Sequence, residues 1–234
     1  MKALQRNFHT LSNTLRELLR MPVARLHFDS RIDPEDIPRT YRYYTRRHPR
    51  YKIIGNKTMG AALIDLGRFE GPPGYLEHIQ GKNRGAWHAK RARARGYVCA
   101  EIERNEYIDA IHAINTSLEE RQGRPMDQKY REKVTHFERQ PHFDYYGVLN
   151  AEGQLVAYAN IGHYGNFSAF SQLIGIRNND GIMHLLMVDI VTRLLEQKRV
   201  RYVMYDTFFG AQPGLQQFKR ILGYQPYRVK YSLQ

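Results

Sequence analysis

The closing segment of the chain constrains its fold more than any other stretch. From Arg199 the sequence reads RVRYVMYDTFFGAQPGLQQFKRILGYQPYRVKYSL. Residues 201–205 are rich in β-branched and aromatic side chains, which predicts a strand. Asp206 and Thr207 put polar groups at its carboxyl end. Gly210 and Gly214 allow sharp turns, and Pro213 suits a first helical position. Leu215, Phe218, Ile221 and Leu222 recur at helical spacing, and Gly223 suits the C-terminal cap. A last strand follows. The unit presents an aromatic, Phe218, and a neighbouring cation, Lys219, to whatever lies beyond the strand end. The same pattern also describes an ordinary strand-helix-strand that closes a sheet.

The preceding stretch supplies the rest of a sheet. FDYYGVLN, QLVAYANIGHY and NFSAFSQLIGI read as three strands, the first two joined by a short turn at Ala151-Glu152-Gly153. The apolar helix HLLMVDIVTRLLEQ begins after Asp180-Gly181. An antiparallel meander followed by a crossover helix predicts a mixed sheet, because the crossover restores a parallel pair. Further upstream, residues 61–66 form a strand-like run and FEGPPG a turn. Two helical pieces around Gly81 and Gly85 lead to the strand VCAEI. A helix is expected over 105–120, with Tyr107, Ile108, Ile111, Ile114 and Leu118 inward, and a polar helix over 127–139.

The first 60 residues have a different character. Residues 1–21 carry a helical stripe of leucines stopped by Pro22. Residues 23–40 look irregular around an acidic DPED turn. TYRYYTRRHPRYKII interleaves cations with aromatics, a pattern suited to phosphates and bases or to a solvated edge strand. The division expected is 1–60, a basic N-terminal helix and aromatic segment, and 61–234, the main domain. The net charge is +13, of which +11 falls in residues 1–104 and +2 in 105–234. Such asymmetry points to a polyanionic partner. Cys99 is the single cysteine, in an apolar run, so no disulfide framework or multi-cysteine metal site is possible. The ten histidines are dispersed without an HExxH pattern, and neither a metal nor a cofactor is expected. No apolar run reaches the ~18 residues of a membrane span. A cytoplasmic location is the expectation.

Several stretches resemble the GNAT acyltransferase superfamily, and within it the FemAB-like branch with its BioF2-like relatives. LIDLGRFEGPPGYLEHIQGKNRGAWHAKRARARGY resembles the branch's strand, short helix and arginine-rich helix ending in glycine. IHAINTSLEERQGRPM resembles its following helix and break. YDTFFG with GLQQFKRILGY resembles its closing segment, where a Phe-Lys pair precedes a glycine. The resemblance covers residues 61–234. It implies an α+β fold, with a mostly antiparallel mixed sheet flanked by helices and a reduced N-terminal half. It also implies transfer of an acyl or aminoacyl group from an activated donor to an amine. Where acetyl-CoA-dependent members carry a glycine-rich pyrophosphate loop, this chain has Arg177-Asn178-Asn179-Asp180-Gly181-Ile182. One glycine, and an aspartate facing the anion-attracting end of a helix, turn the expectation from acyl-CoA toward aminoacyl-tRNA. Acyl-CoA or acyl carrier protein as donor, and a non-catalytic RNA-binding module, are the alternatives.

Aminoacyl transfer requires orientation, oxyanion stabilisation and one proton movement, but no covalent nucleophile. The resemblance gives Lys219 the role of stabilising the oxyanion or the leaving hydroxyl, and Phe218 contact with the RNA end. A solvent-facing lysine and a core phenylalanine are the plain alternatives. Asp206 is expected to bind or deprotonate the acceptor amine, or to cap the next turn. Lys90, Arg91, Arg93 and Arg95 crowd one short helix, so some must face solvent or the donor's phosphates. Glu119, Glu120 and Arg121 border the acceptor site or form a solvated helix end. Tyr205, Tyr164 and Ser171 are candidate hydrogen-bond donors in a cleft. His163 and His184 are expected to be structural.

Overall fold

A computed structural model describes residues 20–49, 52–121 and 124–234. The helix expected over 1–21 lies outside them except for its last two residues. The sheet's central run is the meander of β6 (Phe143–Leu149), β7 (Leu155–His163) and β8 (Phe167–Gly175). These pair antiparallel in sequence order. The turn between β6 and β7 closes on Asn150 and Gln154, with Gly153 at φ +77°. Helix α6 (Ile182–Gln197) then crosses over, and β9 (Tyr202–Thr207) returns parallel to β8. Helix α7 (Pro213–Ile221) and β10 (Gln225–Leu233) close the chain. With β1 (Val23–Phe28), β2 (Met59–Asp65) and β3 (Val98–Glu101), the eight strands run in the order β1-β10-β2-β9-β8-β7-β6-β3. Only β1–β10 and β8–β9 are parallel. This is the α+β, mostly antiparallel mixed sheet the sequence implied.

Strand β7 does not alternate in polarity, because eight of its nine residues are buried. Both faces of the sheet are covered, which removes the usual alternation of a half-exposed strand. One face packs against α2 (Pro72–His78), α3 (Gly85–Ala94) and α6, which buries nine of its own residues there. The other face packs against α1 (Asp36–Thr45) and α4 (Ile108–Thr116) through Ile37, Ile111 and Ile114.

Residues 23–40 are not irregular. VARLHF forms the edge strand β1, burying Ala24, Leu26 and Phe28 while Val23 and Arg25 face outward. It pairs with β10 along its whole length, so part of the segment read as N-terminal belongs to the common sheet. The acidic DPED turn starts a helix. The Asp33 side chain accepts from the Glu35 and Asp36 N–H groups at 3.1 and 2.8 Å. Pro38 sits in the first turn, where its missing N–H has no intrahelical carbonyl to serve. TYRYYT therefore continues a helix: Tyr41 and Tyr44 pack edge-on against Phe28, each at 5.6 Å.

Two helices are shorter than their patterns. A 3-10 turn, Arg104–Tyr107, precedes α4, which ends at Thr116. Thr116 and Ser117 turn their hydroxyls onto the His112 and Ile114 carbonyls, competing with helix continuation. Over 127–139 only α5 (Gln128–Arg131) forms, after a small hairpin of β4 (Glu120–Arg121) and β5 (Arg124–Pro125). That stretch has no apolar stripe to bury. It is fastened by Asn105, whose side chain bonds the Phe137 N–H and carbonyl at 2.8 and 3.1 Å.

Candidate active site

Strands β8 and β9 are hydrogen-bonded only over Phe167–Ala169 and Tyr202–Met204. Beyond that they diverge, since β9 pairs with β2 through Thr207. The β8 edge past Ala169 is thus left without a strand partner on that side. The divergence opens a cleft of about 970 Å³, bordered by β8, the start of α6, the end of β9 and α7.

The start of α6 is held by a close approach. Gly181 has φ +90°, and a Cβ there would lie 2.5 Å from the His88 carbonyl oxygen of α3. Its carbonyl accepts the first helical bond from Leu185, so the N–H groups of residues 182–184 have no intrahelical partner. Those three residues line the cleft and give it a locally positive end. Asp180 does not oppose this. It forms an ion pair with Arg95, and the Tyr97 hydroxyl donates to it at 2.9 Å. The repulsion expected between Asp180 and a phosphate is therefore largely cancelled.

A ladder of rings descends into the cleft. Trp87 meets His88 edge-on at 4.8 Å, and His88 stacks on His184 at 4.2 Å and 19°. His184 meets Phe218 at 4.8 Å, and Phe218 meets Tyr205 at 6.5 Å. Burial pushes the His184 pKa down to about 3, and burial lowers that of His88 too. Both rings are neutral at physiological pH, so the stack carries no like-charge repulsion. Such a weak base is unsuited to proton abstraction, which fits the structural reading of His184.

Lys219 is not at the surface. It is 1% exposed. Its Nζ donates to the Thr207 carbonyl at 2.7 Å and lies 4.7 Å from the Tyr205 ring centroid. Burial lowers its pKa to about 8, with Lys57 acting in the same direction and Asp206 opposing. Asp206, next to last in β9, has φ +52°, a conformation uncommon outside glycine, and forms an ion pair with Lys57. Tyr205, Asp206 and Phe218 line the cleft, whereas Lys219 lies behind them.

Two smaller cavities, about 560 and 390 Å³, lie toward α1 and share Ser171 and Gln172 with the first. Tyr205 and Asp206 also line the smallest, together with Lys57. Asn160 lines the middle one and is 5% exposed. Its amide donates to Gln172 at 2.6 Å, while its Oδ1 is buried with no partner. Ser171 and Gln172 therefore stand where cavities on the two sides of the divergence meet.

The four cations of α3 separate. Arg91 lines the cleft, and Lys90 is exposed. Arg93 is paired with Asp189 and Arg95 with Asp180. Glu119 is exposed in the hairpin region and borders none of the three cavities. Arg121 pairs with Arg124 across the hairpin, and its side chain lies outside the described residues. His163 bridges Ser168 and Asp144 at 2.8 and 2.9 Å. This has the composition of a catalytic triad, yet Ser168 is fully buried and borders none of these cavities. The group ties three strands together. Sequence reasoning missed Lys57, His88 and Asn160. His88 alone carried a signal, as an aromatic beside Trp87 in the basic helix.

No family model matches the sequence. No curated protein matches it either. Among solved structures, FemX superposes with a TM-score of 0.54 at 9% identity, over 72% of this chain and 59% of that one. The C-terminal domain of a putative lysylphosphatidylglycerol synthetase from Agrobacterium fabrum gives 0.49 at 16%, over 73% and 58%. A GCN5-related N-acetyltransferase from Kribbella flavida gives 0.43 at 15%, over 72% and 54%. The chain thus spans less than two thirds of the length of each. The fold is like that of FemX. Among the described residues, no helix is long and apolar enough to cross a membrane.

Proposed function

We propose that the chain transfers an aminoacyl group from aminoacyl-tRNA to an amine, with the ester and the amine meeting beside Ser171 and Gln172. The observation that carries this reading is the opening between β8 and β9, with cavities on both of its sides. Donor and acceptor enter from opposite sides and meet at an unpaired strand edge. Backbone N–H groups on that edge are available to the oxyanion that develops as the C–N bond forms. The amine's proton moves through solvent to the leaving ribose oxygen as the C–O bond breaks.

Tyr205 and Phe218 flank the ester in this reading, and Asp206, the anion shared by two of the cavities, attracts the ammonium form of the acceptor. Lys219 is a positioning residue: it fixes the end of β9 through Thr207 and sets a positive charge against Tyr205. Lys90 and Arg91 face the donor's phosphates. Arg93 and Arg95 support the site through Asp189 and Asp180. Tyr205 touches the acceptor, while Glu119 and Arg121 belong to the hairpin beside the mouth and meet at most its distal part.

The RNA donor is favoured by ring stacking along the cleft and by the basic first half of the chain. The single glycine in 177–182 leaves little room for the close backbone cradle of a pyrophosphate. An acyl-CoA donor is the second reading, favoured by the free N–H groups at α6 and by the neutralisation of Asp180. The test is a donor screen with purified protein, tRNAs charged with radiolabelled amino acids, a parallel panel of acyl-CoAs, and amines ranging from amino acids to aminophospholipids. Ribonuclease-sensitive transfer supports the proposal. Transfer from acyl-CoA alone supports the second reading, and RNA binding without any transfer reduces the chain to a binding module.

A further inference from the structure

The sole tryptophan of the chain is exposed. Trp87 sits on α3 with 38% of its surface accessible, although large aromatics are usually buried. Arg91, one helical turn on, places its guanidinium carbon 5.6 Å from the Trp87 ring centroid. Among the described residues, Arg91 has no carboxylate within ion-pair distance, unlike Arg93 and Arg95 on the same helix. Its side chain borders the cleft, as does that of His88, whose ring abuts Trp87. The ring ladder thus begins at the surface, with an apolar face and an uncommitted cation side by side, and ends beside Tyr205.

Nothing in the fold requires this pair. The buried positions of α3 are Gly85, which abuts Ile221 and Leu222, and Ala89 and Ala92, which join the core that α6 enters. Trp87 lies on the opposite side of that helix. The loop before it, residues 81–84, is itself exposed. A flat aromatic beside a cation suits a flat, electron-rich ring linked to a phosphate.

We infer that Trp87 and Arg91 form a nucleotide subsite at the mouth of the cleft, with Trp87 stacking on a nucleobase and Arg91 pairing with the adjoining phosphate. The subsite rests on the acyl-transfer reading, because it holds a part of the donor remote from the reacting carbonyl. In a tRNA donor, that part is a base just upstream of the terminal adenosine. In acyl-CoA, it is the adenine itself. The shared chemistry is a nucleobase carrying a phosphate.

Because Trp87 is the only tryptophan, its fluorescence reports the site directly. The intact protein is titrated with a short RNA hairpin ending in single-stranded CCA, with coenzyme A, and with inorganic pyrophosphate. Saturable quenching by the RNA or by coenzyme A, but not by pyrophosphate, is expected, and which of the two quenches identifies the source. Calorimetry on Trp87→Ala should then show about tenfold weaker binding of that ligand. Trp87→Phe should regain most of the loss, and both variants should melt as the parent does. Arg91→Ala should weaken binding and flatten its salt dependence. If a ligand binds without quenching, and Trp87→Ala binds it as tightly as the parent, the subsite is wrong while the donor reading stands. If neither nucleotide ligand binds the parent, the donor reading falls and takes the subsite with it.

Discussion

The Nζ of Lys219 on α7 donates a 2.7 Å hydrogen bond to the carbonyl of Thr207, the last residue of β9. The bond joins the helix to the strand end that forms one wall of the cleft. Lys219→Met keeps much of the volume but removes the donor, and should cost about 2 kcal/mol by urea denaturation.

The pH dependence of that variant follows from the Lys219 pKa, lowered by burial from 10.5 to about 8. Between these values the unfolded chain binds the proton that the folded protein has released. Parental stability should therefore rise relative to Lys219→Met as pH climbs from about 8 toward 10.5, and the difference should level off below 8, where both states hold the proton. Paired denaturation curves at pH 7, 8.5 and 10 check this. An unchanging difference would place the Lys219 ammonium in water.

The basic helix should divide into two functions. Arg91→Glu, at the cleft, should weaken donor binding about tenfold or more at low salt with an unchanged melting temperature. Arg93→Glu should instead lower stability by about 1–2 kcal/mol, because Asp189 is left half-buried without its cation. Binding isotherms at two salt concentrations, beside thermal melts, separate the two effects.

Gly181→Ala should be costly despite its small size. The residue sits at φ +90°, and the added methyl would press on the His88 carbonyl. A loss of about 2 kcal/mol is expected, with a weaker donor complex because the start of α6 is displaced from α3. Melting and donor titration of this one variant test the packing that shapes the cleft.

The order of elements from residue 61 onward was legible because strand propensity, the hairpin turn and the α6 pattern agreed with one another. The early part was not. VARLHF does alternate, with Ala24, Leu26 and Phe28 inward and Arg25 and His27 outward, but the run is short and stands apart from the other strands. Asp33-Pro34-Glu35-Asp36 looked like a free turn when it was a helix start. The burial of Lys219 was legible in the spacing. This lysine lies four residues after Leu215 and three before Leu222, so helical spacing sets it on the buried side rather than at its border. The pairs that shape the site were out of reach. Lys57 with Asp206, His88 with His184 and Arg93 with Asp189 join residues far apart in the chain, and no local pattern encodes such meetings.

The central claim is that donor and acceptor meet at Ser171, where the three cavities join. Ser171→Phe places a ring at that point without touching the core. The decisive measurement is single-turnover transfer from charged tRNA to the best amine found in the donor screen, with donor binding and melting followed in parallel. The account predicts a fall of about 100-fold or more in the transfer rate, with donor affinity and melting temperature close to the parent's. Parental transfer by the plugged variant would contradict it and place the chemistry elsewhere on the molecule.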